Sequence, residues 1–258
     1  MKFQLLPSSF NGDGLASAQQ HLSCFVIDDF LAIDAGSLAI ATSEVQKKQI
    51  RDVVLTHAHL DHIAGLPLFI DDLFVTLKKP ICVYATQKVI DILERDIFNW
   101  EIYPKFSELK NGYGKVLNYF PFEIEKEFLI NNLSIKAIEV NHQVQTVGFV
   151  ISNGKSTVAF SGDTAETSKF WEVVNTEKFL STVFIECAFP NELRNLADAS
   201  HHLTPQILEK ELKKFKHSNC LVYIINLKPM YRDQIVREIK ELKNENLKIL
   251  EVGKVYDF

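Results

Sequence analysis

Residues 56–62, with the sequence Thr-His-Ala-His-Leu-Asp-His, constrain this chain more than any other stretch. They contain three of its eight histidines and one carboxylate, and they directly follow the apolar run at residues 53–55. Imidazole nitrogen and carboxylate oxygen are the ligands that zinc takes in sites that stay open for chemistry. Loops positioned by a rigid strand often carry function. The pattern therefore predicts a metal site rather than a surface loop with a chance excess of histidine. The candidate ligands are His57, His59, Asp61 and His62.

Composition and charge narrow the class of protein. The 258 residues are 47% hydrophobic and 24% charged, which is typical of a globular chain with a sizeable core. No stretch approaches the roughly 20 apolar residues that a bilayer crossing needs, and the first residues lack the pattern of a signal peptide. We therefore expect a cytoplasmic protein. The net charge of -5 argues against a long nucleic acid as partner, because such binding needs a basic surface.

Strand-like runs alternate with helical patterns along the chain. Strands are expected at residues 30–34, 52–55, 81–84, 133–140, 147–152, 157–160, 182–185 and 221–225. Apolar stripes predict helices near residues 66–77, 89–97, 207–215 and 235–242. Thr204 and Pro205 are expected to cap the third of these helices. Without a linker or a detectable repeat, we expect a single domain over residues 1–258.

The least regular segment is residues 99–121, which is rich in aromatic side chains. A loop of this length within a compact domain is usually functional or poorly ordered. Its aromatic residues could close over a substrate or pack in the ordinary way, and the sequence favours neither alternative.

Isolated polar residues follow several of the predicted strands. They are His142, Asp163, Glu186 and Asn226, and His202 stands just before the helix that Thr204 begins. Strand ends can cluster at one edge of a sheet, so these residues could converge on one site. Each also has an ordinary interpretation: a structural histidine, an Asx turn, a helix cap or a salt bridge. One of the neighbours His201 and His202 could simply be exposed.

Taken in chain order, these residues resemble the signature of the metallo-β-lactamase superfamily. That signature is His-x-His-x-Asp-His, then a histidine after a strand, then an aspartate that bridges two metals. Within the superfamily, the chain looks most like the class II 3′,5′-cyclic-nucleotide phosphodiesterases. The closer likeness lies in residues 59–66, 97–106, 202–205 and 227–229, and the whole resemblance runs from about residue 34 to 229. It implies an α/β fold, an αββα sandwich of two mixed sheets flanked by helices.

The resemblance also implies a two-metal zinc site. His57, His59 and His142 would hold one metal, Asp61 and His62 the other, and Asp163 would bridge them. A metal-bound hydroxide would then hydrolyse 3′,5′-cyclic AMP, or cyclic GMP, to the 5′-monophosphate. His202 would protonate the leaving oxygen, and Glu186 would orient its imidazole.

Asn226 departs from the family pattern, because the family has a histidine ligand of the second metal at this place. An amide oxygen is a weaker ligand for zinc than an imidazole nitrogen. We therefore expect a weaker second metal, which could be manganese.

Two other functions stay open at this point. One is a phosphodiesterase that acts on RNA, similar to the tRNA 3′-processing endonucleases, although their basic, glycine-rich arm has no counterpart in this acidic chain. The other is a non-catalytic nucleotide-binding or sensing protein built on a decayed site, which Asn226 favours and Asp61 opposes. As partner we expect a small cyclic nucleotide, with no membrane and no long nucleic acid; a homodimer is left open.

Overall fold

The computed structural model describes residues 1–258. The chain forms two compact units, one of Met1–Glu123 with Val252–Asp257 and the other of Ile124–Glu251 with Phe258. Each unit contains one seven-stranded sheet and its own helices. The single domain expected from the sequence stays a prediction. No helix combines the length and the hydrophobicity that crossing a membrane requires.

The strands and helices are numbered in chain order. The strands are β1 (Lys2–Leu5), β2 (Phe25–Ile27), β3 (Leu31–Ile33), β4 (Asp52–Val54), β5 (Ile81–Ala85), β6 (Lys110–Asn111), β7 (Gly114–Lys115), β8 (Leu117–Pro121), β9 (Glu127–Ile130), β10 (Leu133–Val140), β11 (Thr146–Ser152), β12 (Thr157–Phe160), β13 (Leu180–Glu186), β14 (Leu221–Ile225), β15 (Leu247–Ile249) and β16 (Val255–Asp257). The α-helices are α1 (Leu38–Ala41), α2 (Glu44–Gln49), α3 (Leu60–Ile63), α4 (Gly65–Leu73), α5 (Gln87–Ile92), α6 (Lys169–Val174), α7 (Arg194–Ser200), α8 (Pro205–Leu212) and α9 (Arg232–Glu241).

The sheet of the first unit has the order β16-β1-β2-β3-β4-β5-β8. Its strands are antiparallel from β16 to β3 and parallel from β3 to β8. Strands β2 and β3 are buried at every position, as expected of short, continuously apolar runs in a covered sheet. The carboxyl ends of β3, β4 and β5 lie at one edge of the sheet, which is where α/β proteins place their ligands.

The sheet of the second unit has the order β9-β10-β11-β12-β13-β14-β15. Here, too, antiparallel pairing up to β12 gives way to parallel pairing from β12 to β15. The carboxyl ends of β12, β13 and β14 therefore share one edge. Both units thus repeat one pattern of strand directions, although the sequence shows no detectable repeat.

Most elements lie where the sequence predicts them. Strands β10, β12 and β14 have the expected bounds, and α4, α8 and α9 lie on the expected apolar stripes. Thr204 is the N-cap residue of α8 and Pro205 lies in its first turn, as predicted, although the Thr204 side chain accepts no capping hydrogen bond. The sequence did not indicate β1, β2, β9, β15 or β16, which are at most four residues long and depend on pairing for their definition.

The irregular segment at residues 99–121 is more ordered than predicted. Its last part forms β8, which pairs in parallel with β5 and buries Leu117, and residues 110–115 form the β6–β7 hairpin. Phe106 is buried, with its ring centroid 5.7 Å from that of Phe98. Trp100 and Tyr113 are 56% and 62% exposed. A long loop was therefore the wrong expectation here, because Phe106, Val116 and Leu117 enter the core of the first unit.

Candidate metal centre

The first unit brings together all the ligands of the histidine-rich motif. The motif leaves β4, and its last residues form α3, for which His59 is the N-cap residue. The ring centroid of His57 lies 4.5 Å from that of His59 and 4.2 Å from that of His62. Asp61 Oδ2 lies 3.9 Å from His62 Nε2. His57 and His62 are buried, whereas His59 and Asp61 are partly exposed, so the cluster has a solvent-facing side.

A close approach of two backbone segments holds this loop in place. Ser23 N donates to Asp61 O at 2.8 Å, and Gly36 N donates to Ser23 O at 2.8 Å. A Cβ on Gly36 would lie 2.0 Å from Asp61 O, which is far inside van der Waals contact. Only glycine fits at this position without moving the backbone of Asp61.

Asp34, which sequence reasoning missed, fixes two of the imidazoles. It follows β3 and is fully buried, with a left-handed φ of 58°. Asp34 Oδ2 accepts a hydrogen bond from His62 Nδ1 at 2.6 Å, and Asp34 Oδ1 accepts one from Thr56 N at 2.9 Å. An ionised carboxylate only accepts, so the proton of neutral His62 sits on Nδ1 and Nε2 keeps the lone pair.

The Thr56 hydroxyl fixes the tautomer of His57 in the same way. Thr56 Oγ1 donates to Asp34 Oδ1 at 2.9 Å and lies 2.9 Å from His57 Nδ1. Because its single proton goes to the carboxylate, the hydroxyl accepts from His57 Nδ1, and His57 also presents Nε2. A polar residue after a predicted strand was the signal that could have identified Asp34.

The second unit brings together His142, Asp163 and His202. One ligand atom from each of these residues lies within 4.8 Å of the others. His142 follows β10, Asp163 follows β12, and His202 stands between α7 and α8. His142 Nδ1 lies 3.0 Å from the carbonyl oxygen of His201, which can only accept. His142 therefore carries its proton on Nδ1 and offers Nε2 as a ligand.

Glu186 is hydrogen-bonded to His202, and its role in orienting that imidazole stays a prediction. It ends β13 and is fully buried, with Oε1 lying 2.6 Å from His202 Nδ1. Thr164 N donates to the same oxygen at 2.8 Å, while Ala188 N and Leu203 N donate to Oε2 at 3.1 and 3.2 Å. Burial raises the pKa of the Glu186 carboxyl, whereas the charge of His202, its hydrogen bond and the bond from Thr164 N oppose that rise. These hydrogen bonds favour the ionised form, which accepts a hydrogen bond from His202 Nδ1.

The same pair sets the protonation of His202. Burial lowers the pKa of this imidazole, but the charge of Glu186 and its hydrogen bond outweigh burial and raise the pKa above its ordinary value. The charge of Asp163 raises the pKa further, and that of Lys228 lowers it. His202 therefore holds two protons over a wider pH range than a free histidine, as a proton donor requires.

Asn226 contacts Asp163 through its side chain. It follows β14 with a left-handed φ of 55°, a conformation that asparagine tolerates better than most residues. Asn226 Nδ2 donates to Asp163 Oδ1. The nitrogen must face the carboxylate, because the amide oxygen would repel it. This contact favours a hydrogen-bonding role for Asn226, while direct ligation of a metal stays a prediction.

Each unit contains side chains that fit a divalent cation: His57, His59, Asp61 and His62 in the first unit, and His142 and Asp163 in the second. His57, His62 and His142 each make a hydrogen bond through Nδ1 to another group of the protein. Nε2 is therefore the ring nitrogen of each that is available to coordinate a metal. Metal-binding histidines usually have such a partner on the ring nitrogen that does not coordinate the metal. Imidazole nitrogen with carboxylate oxygen is a donor set that suits zinc.

The chain belongs to the β-lactamase superfamily, since the family described as the β-lactamase superfamily domain matches residues 29–217. It is 28% identical over 247 residues to a Yersinia pestis protein named probable 3′,5′-cyclic-nucleotide phosphodiesterase, with 84% of this chain and 70% of that protein covered. It is also 30% identical over 104 residues to tRNase Z TRZ1 of Arabidopsis thaliana, with 39% of this chain and 34% of that protein covered.

Among solved structures, the chain is similar to unliganded yeast PDE1, with a TM-score of 0.78, 15% identity and 98% of each chain covered. These comparisons confirm the predicted superfamily, the α/β fold with mixed sheets and flanking helices, and the resemblance to cyclic-nucleotide phosphodiesterases. The prediction that this protein is a metal-dependent enzyme is confirmed by the same comparisons.

Proposed function

We propose that this protein is a metal-dependent phosphodiesterase that hydrolyses 3′,5′-cyclic AMP or cyclic GMP to the 5′-monophosphate. The observation that carries the proposal is the buried Glu186–His202 pair, whose 2.6 Å hydrogen bond leaves His202 Nε2 to face a substrate. The similarity to a relative named a cyclic-nucleotide phosphodiesterase supports the substrate class.

The metal ligands in this proposal are assigned in the order of the family motif. His57, His59 and His142 would hold one ion and Asp61 and His62 the other, and Asp163 would contribute to both. When bound, two such ions polarise the phosphoryl oxygens and lower the pKa of a water molecule. Zinc fits the imidazole-rich first set, and Asn226 makes the second ion the weaker one, with manganese as an alternative.

His202 provides the proton that the reaction needs. Opening the cyclic phosphate breaks the bond to the 3′ oxygen, and an alkoxide is a poor leaving group unless it is protonated as it departs. His202 Nε2–H donates that proton, and Glu186 holds Nδ1–H throughout, so the imidazole does not rotate. His202 is then neutral and regains its proton from solvent before the next turnover.

An RNA substrate is the second candidate. The match to tRNase Z TRZ1 over 104 residues is the observation that favours it. The net charge of -5 opposes it, because gripping the phosphates of a folded RNA takes a basic surface. A non-catalytic sensor is disfavoured, because a decayed site has no need for a buried Glu186–His202 pair.

A substrate panel separates these candidates. Protein reconstituted with zinc or manganese would be incubated with 3′,5′-cyclic AMP, 3′,5′-cyclic GMP and a precursor tRNA with a 3′ trailer. We expect turnover of a cyclic nucleotide and no trimming of the tRNA. Trimming of the tRNA without cyclic-nucleotide turnover would support the RNA enzyme, and inactivity towards all three in metal-loaded protein would contradict catalysis.

A further inference from the structure

Two segments of the second unit are joined by side chains of which only His142 has a role in the proposed reaction. Gln143 Nε2 donates to the carbonyl oxygen of Ala199 at 2.5 Å. His201 Nδ1 lies 3.0 Å from Asn141 Oδ1, and His142 Nδ1 lies 3.0 Å from the carbonyl oxygen of His201. We call these five residues the 141–201 clamp. It connects the turn after β10 to the carboxyl end of α7.

The backbone of His201 gives the clamp its geometry. This residue caps α7 with a left-handed φ of 54° and ψ of 61°, a conformation that costs a non-glycine residue free energy. The reversal lets the chain leave the helix, with His202 N bonded to the carbonyl oxygen of Ala197 at 2.9 Å. It also directs the His201 carbonyl at His142 Nδ1, which a helical or extended backbone at this residue would not do.

We propose that the left-handed backbone of His201 is a positioning device for His142, working through its carbonyl oxygen and not through its imidazole. The proposal rests on the proposed function only in that His142 is a metal ligand. The carbonyl holds His142 in the tautomer that offers Nε2. Because His202 is the next residue, the same turn sets the orientation of a metal ligand and the position of the proton donor.

A pair of substitutions at one position separates backbone from side chain. His201→Gly and His201→Val both remove the imidazole, but glycine adopts the left-handed conformation freely and a β-branched residue resists it. Zinc affinity would be measured by competition with a chelator, and the tautomer of His142 by its nitrogen chemical shifts. We expect His201→Gly to stay within about threefold of the wild type and His201→Val to lose about 10- to 100-fold, as for other losses of a ligand's partner.

A matched control exists in the same unit. Lys243 lies two residues after the end of α9, has a left-handed φ of 52° and is exposed. Lys243→Gly and Lys243→Val make the same conformational change at a helix end that the clamp does not include. We expect neither to alter zinc affinity. An equal loss in Lys243→Val and His201→Val would mean that general destabilisation, not positioning, explains the effect.

The result that overturns the proposal is an equal zinc affinity in His201→Gly and His201→Val, whether both are impaired or both normal.

If His201→Val does not fold, the clamp is tested with Gln143→Ala, which removes the bond to Ala199 and leaves the backbone preference intact. We expect a weaker loss of zinc affinity and a mixed tautomer of His142, and an unchanged tautomer would contradict the clamp. Zinc binding without turnover of any cyclic nucleotide in the wild type would defeat the proposed function alone.

Discussion

Asp34→Asn is the substitution that tests the arrangement around His62 most sharply. The change keeps the size of the side chain but replaces one acceptor with an amide nitrogen. The remaining oxygen is held by Thr56, whose N–H lies 2.9 Å from Asp34 Oδ1. The amide nitrogen must then face His62 Nδ1, which was 2.6 Å from Oδ2. Two donors cannot bond, so His62 must move its proton to Nε2, the atom proposed to bind metal.

The magnitude follows from exchanging a charge-assisted hydrogen bond for a neutral one. A hydrogen bond to a charged group contributes roughly 1.5–3 kcal/mol and a neutral one roughly 0.5–1.5 kcal/mol, and Asp34 is fully buried. We therefore expect the free energy of unfolding of the metal-free protein to fall by about 1 kcal/mol. Metal affinity should fall by about 10- to 100-fold, because binding must now displace the proton on Nε2. Urea unfolding measures the first quantity, and titration of metal-free protein against a chelating dye measures the second.

Asp72→Asn is the matched control, since it makes the same change on an exposed position of α4. It should alter neither quantity. Nitrogen chemical shifts of His62 give an independent readout: the proton should sit on Nδ1 in the wild type and on Nε2 in Asp34→Asn. Wild-type metal affinity together with a wild-type tautomer in Asp34→Asn would refute the reasoning.

Four further results are expected. His59→Ala should abolish hydrolysis and lower the metal content found by elemental analysis, and full activity in a metal-defined buffer would contradict its role as a ligand. His202→Ala should lower turnover of cyclic AMP by roughly 10²–10⁴ but affect a nitrophenyl phosphodiester less, because that leaving group needs no proton; equal losses would assign His202 another role. Glu186→Gln removes the negative charge that raises the pKa of His202. Since turnover falls as pH rises through that pKa, its decline in a pH–rate profile should begin at a lower pH in this variant, and an unshifted profile would show that His202 is not the titrating donor. Asn226→His should tighten the second metal, whereas two zinc equivalents that survive dialysis of the wild type would contradict a weak second site.

The candidate site was largely predictable because its residues follow strands. The apolar runs before His142, Asp163 and Glu186 mark strands whose carboxyl ends share an edge within the second unit. The position of a polar residue just past a run is therefore informative without coordinates. The same reasoning missed Asp34, because the predicted strand at residues 30–34 included Asp34 as its last residue. In the structure β3 ends one residue earlier, so Asp34 follows the strand.

The pattern of residues in the sequence did not predict the local backbone conformation. Nothing in the spacing predicts the left-handed conformations of His201 and Asn226, yet these decide which neighbour each residue contacts. Residues 117–121 likewise gave no strand signal, because Pro121 and the nearby glycines indicate a loop. Their pairing with β5 arises from tertiary contacts, which override local preference in short strands.

Steady-state hydrolysis of 3′,5′-cyclic AMP tests the central claim most directly. The protein would be stripped with a chelator, reconstituted with zinc or manganese, and the product identified by phosphorus NMR. The account predicts no turnover in stripped protein, restored turnover on adding metal, and 5′-AMP as the product. Turnover that is unaffected by stripping, or its absence in protein shown to be folded and metal-loaded, would contradict the assignment as a metal-dependent cyclic-nucleotide phosphodiesterase.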